Sequence, residues 1–260
     1  MSHLARRQAA RRQGPARIRP AVVGMIVCGM MSMGGLAVMT PAAHATIAPS
    51  DRCSGEMHDP LSLYGESLRF RVLRNGSPIG YHEVTFDRRG DKVVAHSRFE
   101  AEVRILFYTA YRYQYRSRDV WRDGCLVALK AETNDNGKEM RVEAALEGEA
   151  LRITSSAGTR TTELGIFPTT HWNAGVIGAT RVLNTITGTI AKVELIALGK
   201  EEVMVEGRPV PAHRYRYTGE IESEVWYDAD GRWVKMRFNA QDGSTIEYVC
   251  ERCGGGSGSA

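Results

Sequence analysis

Nine glycine-bearing turn signals divide residues 75–243 into segments that suit strands better than helices. They are Asn75-Gly76, Arg89-Gly90-Asp91, Asp123-Gly124, Asn136-Gly137, Glu147-Gly148, Ala157-Gly158, Glu206-Gly207, Asp230-Gly231 and Asp242-Gly243. Asn-Gly and Asp-Gly reach positive φ at low cost, which is what a two-residue hairpin demands. Between them the chain alternates apolar and polar residues, as in Leu68-Arg69-Phe70-Arg71-Val72 and Val193-Glu194-Leu195-Ile196-Ala197-Leu198. Period two is the signature of half-buried strands. The expected fold is mainly β: a large antiparallel meander forming a curved sheet or partly open barrel, with one short helix covering its concave face.

Two segments sharpen this. In Tyr111-Arg112-Tyr113-Gln114-Tyr115-Arg116 and His213-Arg214-Tyr215-Arg216-Tyr217, tyrosines occupy one face and polar residues the other. A loop at Thr218-Gly219-Glu220 would set Arg216 opposite Glu222, Arg214 opposite Glu224, Tyr215 opposite Ser223 and Tyr217 opposite Ile221. Opposite charges then pair across one face. The helix is expected over 173–184, capped by Asn173, with Val176, Ile177, Val182 and Leu183 along one side. Gly175 and Gly178 weaken it unless it packs on the sheet.

The first 45 residues have a different grammar. Arg6, Arg7, Arg11, Arg12, Arg17 and Arg19 precede an apolar run, and Ala43-His44-Ala45 supplies a small-residue cleavage site. This is the layout of a bacterial secretory signal, with export by the general or the twin-arginine route. Cleavage after Ala45 leaves a periplasmic or secreted protein with no later run of membrane-spanning length. It also removes six of 34 basic residues and none of 30 acidic ones, leaving 28 against 30. The net charge falls from +4 to about −2, and the electrostatic case for nucleic acid disappears. The expected organisation is a signal over 1–45, a polar leader over 46–65, a single β domain over 66–253 and a flexible Gly/Ser tail over 254–260.

Four cysteines remain after cleavage: Cys53, Cys125, Cys250 and Cys253. In an oxidising compartment they read as disulfides, with a clasp joining the two ends of the chain as one pairing. Cys250-Glu251-Arg252-Cys253 lacks the helix N-terminus that activates a redox CxxC.

Catalytic motifs are scarce. There is no GxSxG, HExxH, phosphate loop or dinucleotide fingerprint. His58, His82, His96, His171 and His213 show no metal-ligand spacing, although His82 and His96 could meet across a hairpin. No metal, cofactor or catalytic residue is assigned. Phe167-Pro168-Thr169-Thr170-His171-Trp172-Asn173 concentrates functional groups at a junction, where His171 could act as acid/base or orient a ligand. Tyr111, Tyr113, Tyr115, His171, Trp172, Val176, Leu183, Tyr215 and Tyr217 are the candidate ligand-binding residues, because tyrosine offers apolar area with a polar tip. The same alternation also serves a filled core. Trp226 and Trp233 flank a turn and are expected to pack across it, while Glu220, Glu222 and Glu224 read as a salt-bridge ladder.

Arg74–Gly80, Ala131–Lys138, His171-Trp172-Asn173, Trp226-Tyr227-Asp228 and Asp242–Tyr248 resemble a family of secreted bacterial proteins known as a domain of unknown function. The resemblance spans most of 65–249 and implies no catalytic residues. By analogy, the architecture is similar to the periplasmic lipoprotein-carrier fold, whose concave apolar face holds acyl chains. Three readings follow. The first is a non-catalytic binder of a lipid or other apolar small molecule. The second is an envelope module whose sheet edge meets a partner protein. The third is a hydrolase-type enzyme centred on His171.

Overall fold

The strands that begin and end the folded chain lie side by side. Strand β1 (Ser67–Arg74) pairs antiparallel with β15 (Thr245–Arg252), placing Phe70 opposite Cys250 and Val72 opposite Tyr248. The computed structural model describes Cys53, residues 58–105 and residues 108–254, with Ile105 and Tyr108 as backbone only. The signal expected over 1–45, most of the expected leader and residues 255–260 of the expected tail lie outside them.

From β1 the chain meanders through β2 (Ser77–Arg89), β3 (Lys92–Ile105), β4 (Tyr108–Arg122) and β5 (Cys125–Asp135). It continues through β6 (Lys138–Glu147), β7 (Ala150–Ser155) and β8 (Gly158–Glu163), the last strand on that side. Residues 164–166 then lead to β9 (Phe167–Pro168), at the opposite end of the same sheet. The return runs through β10 (Arg181–Leu183), β11 (Ile190–Val205), β12 (Arg208–Gly219), β13 (Ser223–Asp228) and β14 (Trp233–Asn239) to β15. All described pairings are antiparallel except β9 with β10.

The result is one 15-stranded sheet, curled but not closed into a barrel. No ladder joins β8 to β9. Side chains bring these ends together instead: Arg181 of β10 forms an ion pair with Glu163 of β8. A Cβ on Gly188 would stand 2.6 Å from Ser155 at the end of β7.

The turn dipeptides act as their chemistry requires. At Asn75-Gly76 and Glu206-Gly207 both central residues have positive φ, which matches the twist of the flanking strands. Glu206 is an unusual occupant, and its carboxylate accepts hydrogen bonds from the backbone N–H of Cys253 (2.7 Å) and Gly254 (3.1 Å).

Several expectations need correction. Segment 173–184 is not a helix but a 3-10 turn, Ala174–Val176, followed by the extended strand β10. Asn173 does cap it, accepting from Gly175 N–H at 3.0 Å. Gly178 at φ 93° then turns the chain away, so Val176, Val182 and Leu183 are buried while Ile177 is exposed. The α-helix among the described residues is α1 (Pro60–Tyr64), within the stretch expected to be a polar leader. Its buried Tyr64 stacks on Phe86, 5.5 Å between ring centroids.

The β12–β13 register is offset by two residues. Arg216 faces Glu224, Arg214 faces Trp226, Tyr215 faces Val225 and Tyr217 faces Ser223. The turn moves because Gly219 packs against the Lys192 carbonyl and Glu220 bonds back to Lys192 N–H, which holds β12 in the ladder further than expected. An even slip preserves the faces. Arg214, Arg216 and Arg237 therefore converge on Glu224, whose carboxyl these hydrogen bonds hold down near about 2 against the opposing effect of burial.

Trp226 and Trp233 do not pair, since an irregularity in register sets Trp233 opposite Tyr227 and Trp226 opposite Lys235. The disulfides are Cys53–Cys125 and Cys250–Cys253. The ends of the domain are thus joined by the β1–β15 ladder rather than by a disulfide clasp. His82 and His96 stand opposite Phe99 and Thr85 and do not meet.

Candidate functional site

Strand β4 presents a mixed stripe to the interior. Tyr115, Ser117, Asp119 and Trp121 are buried at alternate positions, while Arg116 and Arg118 are exposed between them. The outward arginines set the phase, which obliges Ser117 and Asp119 to point inward.

The segment from Phe167 to Ile190 enters the curled sheet and covers this stripe. Tyr115 OH donates to Thr185 Oγ1 at 3.0 Å, and Trp121 lies 5.3 Å from Trp172 and 6.0 Å from Phe167 between ring centroids. On the far side, Tyr64 OH donates to the Trp172 carbonyl at 2.8 Å and Tyr227 OH donates to the His171 carbonyl at 2.9 Å. His171 itself sits at φ 58°, a left-handed conformation uncommon for a non-glycine residue. Two tyrosine hydroxyls thus anchor the segment by its carbonyls at a strained residue and its neighbour.

The electrostatics are those of a dry interior. Asp119 is fully buried and bonded by Ser117 Oγ at 2.9 Å; burial pushes its carboxyl up to about 7, although hydrogen bonds from Ser117 and Thr170 oppose the rise. Burial lowers His171 to about 4 and His82 to about 3, the latter with a smaller contribution from His171. Both imidazoles are therefore neutral at neutral pH. They flank Trp233, 5.6 and 5.5 Å from its ring. His171 Nδ1 and both ring nitrogens of His82 have no hydrogen-bond partner among the described residues.

The candidates separate into two groups. Tyr115, Tyr217, His171, Trp172, Val176 and Leu183 are all buried in one core, with Tyr217 edge-on to His171 at 5.5 Å. Tyr113 and Tyr215 are half-buried at its margin, and burial raises Tyr113 to about 12. Tyr111 does not join them. It is 36% exposed and donates to Asp135 at 2.6 Å, because β4 outruns the covering segment at that end. Interior residues that the sequence did not single out include Tyr64, Ser117, Asp119 and Trp121. The alternation that exposed the tyrosine face continues through Ser117, Asp119 and Trp121 and could have marked them.

Among the described residues no group of His, Cys, Asp or Glu could hold a metal ion, and no helix is long and apolar enough to cross a membrane. The two disulfides are compatible with an oxidising environment.

No curated protein is similar to the chain. Among solved structures it is similar to a β-barrel-like protein of domain of unknown function DUF1849 from Brucella abortus. That likeness has 13% identity and a TM-score of 0.51, and covers 71% of this chain and 94% of the other. It establishes a shared fold. The domain of unknown function DUF6134 matches residues 70–251, and the chain belongs to that family.

Proposed function

We propose that the protein is an exported, non-catalytic binder of an apolar or amphipathic envelope molecule, held inside the curled sheet where residues 174–189 now lie. The observation that carries this reading is the way the segment is attached. It contributes to the sheet only the three-residue strand β10, paired with the start of β11; Tyr115 meets it through a single hydroxyl contact, and the Tyr64 and Tyr227 hydroxyls hold residues 171 and 172 just before it. Such a segment opens at lower cost than the long ladders around it. Its removal would expose apolar surface now covered by Val176, Val182 and Leu183. The signal-like N-terminus and the two disulfides support an envelope location.

The test is uptake of the apolar fluorophore N-phenyl-1-naphthylamine by Val176→Asp and Leu183→Asp. Each places a carboxylate where the segment enters the core. The reading predicts several-fold greater uptake with β-sheet circular dichroism retained. Unchanged uptake by folded variants contradicts it.

A second reading is favoured by β11, whose residues 196–202 are exposed throughout and include Ile196 and Leu198. β10 pairs only with residues 190–192, so among the described residues this stretch is laddered to β12 alone, and an open side of this kind can accept a strand from an envelope protein. Cross-linking through Leu198→Cys to a discrete partner in intact cells would support it, and the absence of any adduct would oppose it.

A further inference from the structure

We propose that the buried polar groups of β4 and residues 170–173 form a head-group site for a carboxylic acid carried on an apolar chain. The inference rests on the binding reading above and names the class of molecule bound.

Buried donors and acceptors are unequally matched in this part of the core. Trp121 Nε1, Trp172 Nε1 and Asn173 Nδ2 are buried with no partner among the described residues. Indole N–H and the amide NH₂ can only donate. Leaving such donors unmet costs free energy, and native interiors pair the large majority of them. Asn173 has spent its oxygen on the Gly175 N–H, which leaves its nitrogen for another partner.

Contacts bring these groups into one neighbourhood. The two indoles are 5.3 Å apart, edge to face. Asp119, two residues before Trp121 on the same face, lies near enough to Thr170, two residues before Trp172, for that hydroxyl to oppose the rise in its pKa. Its second oxygen, Oδ2, is also without a hydrogen-bond partner among the described residues. Burial favours the protonated carboxyl, which then donates as well. Donors therefore outnumber acceptors, and the complement is a group rich in acceptor oxygens.

A carboxylate supplies two oxygens with several lone pairs, and a proton shared with Asp119 spares the interior an isolated charge. An alcohol offers one oxygen and brings a donor of its own. An ammonium brings only donors and could pair with Asp119 alone. The aliphatic chain would replace Val176, Val182 and Leu183 against the core.

The experiment is titration of the purified full chain with dodecanoic acid, dodecanol and dodecylamine at pH 7, followed by tryptophan fluorescence and calorimetry. The expected result is preference for the acid by roughly tenfold or more, the ratio one charge-assisted hydrogen bond supplies. Asn173→Asp keeps the capping oxygen and removes the donor, so it should abolish that preference while dodecanol binding stays unchanged. Trp121→Phe, which keeps an aromatic ring, should weaken acid binding more than alcohol binding. Equal binding of all three probes overturns the head-group site and leaves the binding reading intact. Preference for the amine overturns it in favour of Asp119 as a counter-ion. Failure of every probe to bind overturns both.

Discussion

The Tyr64 hydroxyl donates to the carbonyl of Trp172 at 2.8 Å, across 108 residues of sequence, and accepts the backbone N–H of Trp233 at 2.8 Å. One buried oxygen therefore joins the N-terminal helix, the interior segment and β14. Tyr64→Phe removes both bonds while keeping the ring on Phe86. The expected loss is about 1–3 kcal/mol, because the Trp233 N–H and the Trp172 carbonyl are left unmet in the core. Denaturant unfolding measures the loss. Hydrogen exchange should show the Trp233 amide losing protection at the same time.

Asp119 predicts an unusual pH profile. Its folded pKa, about 7, lies above the ordinary carboxylate value of 3.8. The native state therefore holds this proton while the unfolded chain releases it. Stability from this group is fully present below about pH 4, declines as pH rises, and levels off above about 7. The full difference is roughly 4 kcal/mol. Asp119→Asn keeps the shape without the charge, and its stability relative to wild type should rise between pH 4 and 8. A difference that stays flat across that window would contradict the burial of this carboxyl.

The buried histidines act in the opposite sense. With folded values near about 4 and 3, His171 and His82 contribute stability above pH 6.5 that is lost as the solution is acidified. Among the described residues the His82 ring has no hydrogen-bond partner to lose. His82→Phe should therefore flatten the profile between pH 6.5 and 4, as thermal melts at each pH would show.

The two disulfides should differ in worth. Cys53 and Cys125 are 72 residues apart, whereas Cys250 and Cys253 are separated by three. In the chain-entropy account the first contributes roughly 4 kcal/mol and the second about 2. Cys125→Ser should lower the denaturation midpoint more than Cys253→Ser. The reverse order would mean that native contacts at the C-terminal pair outweigh loop closure.

Gly80 tests the sheet itself. A Cβ there would lie 1.8 Å from the Glu100 carbonyl oxygen, so β2 and β3 approach at this point as only glycine allows. Gly80→Ala forces the backbones apart and should cost more than about 2 kcal/mol, the upper part of the range for point substitutions.

The meander was legible because local chemistry specifies it. Asn75-Gly76, Asp123-Gly124 and Asn136-Gly137 all close hairpins where their composition placed them. The faces of β4 and β12 followed from alternation alone. What local chemistry does not specify is a choice between two even registers. Arg237, on the third strand, completes the ring around Glu224 and lies outside any two-strand reading. The 173–184 error has a similar origin. Apolar spacing suited a helix, yet the sheet supplied β11 as a partner for Arg181–Leu183, and glycine at 175 and 178 offered little resistance. Asp119 was hidden for another reason: an isolated carboxyl in a strand reads as surface until the arginines on either side fix its direction.

The measurement closest to the central claim is native mass spectrometry of the protein isolated from the cells that make it, with solvent extraction of whatever accompanies it. The account predicts a reproducible small apolar mass bound one to one and released by denaturation. A clean unliganded mass, from protein that also fails to take up dodecanoic acid, would contradict it.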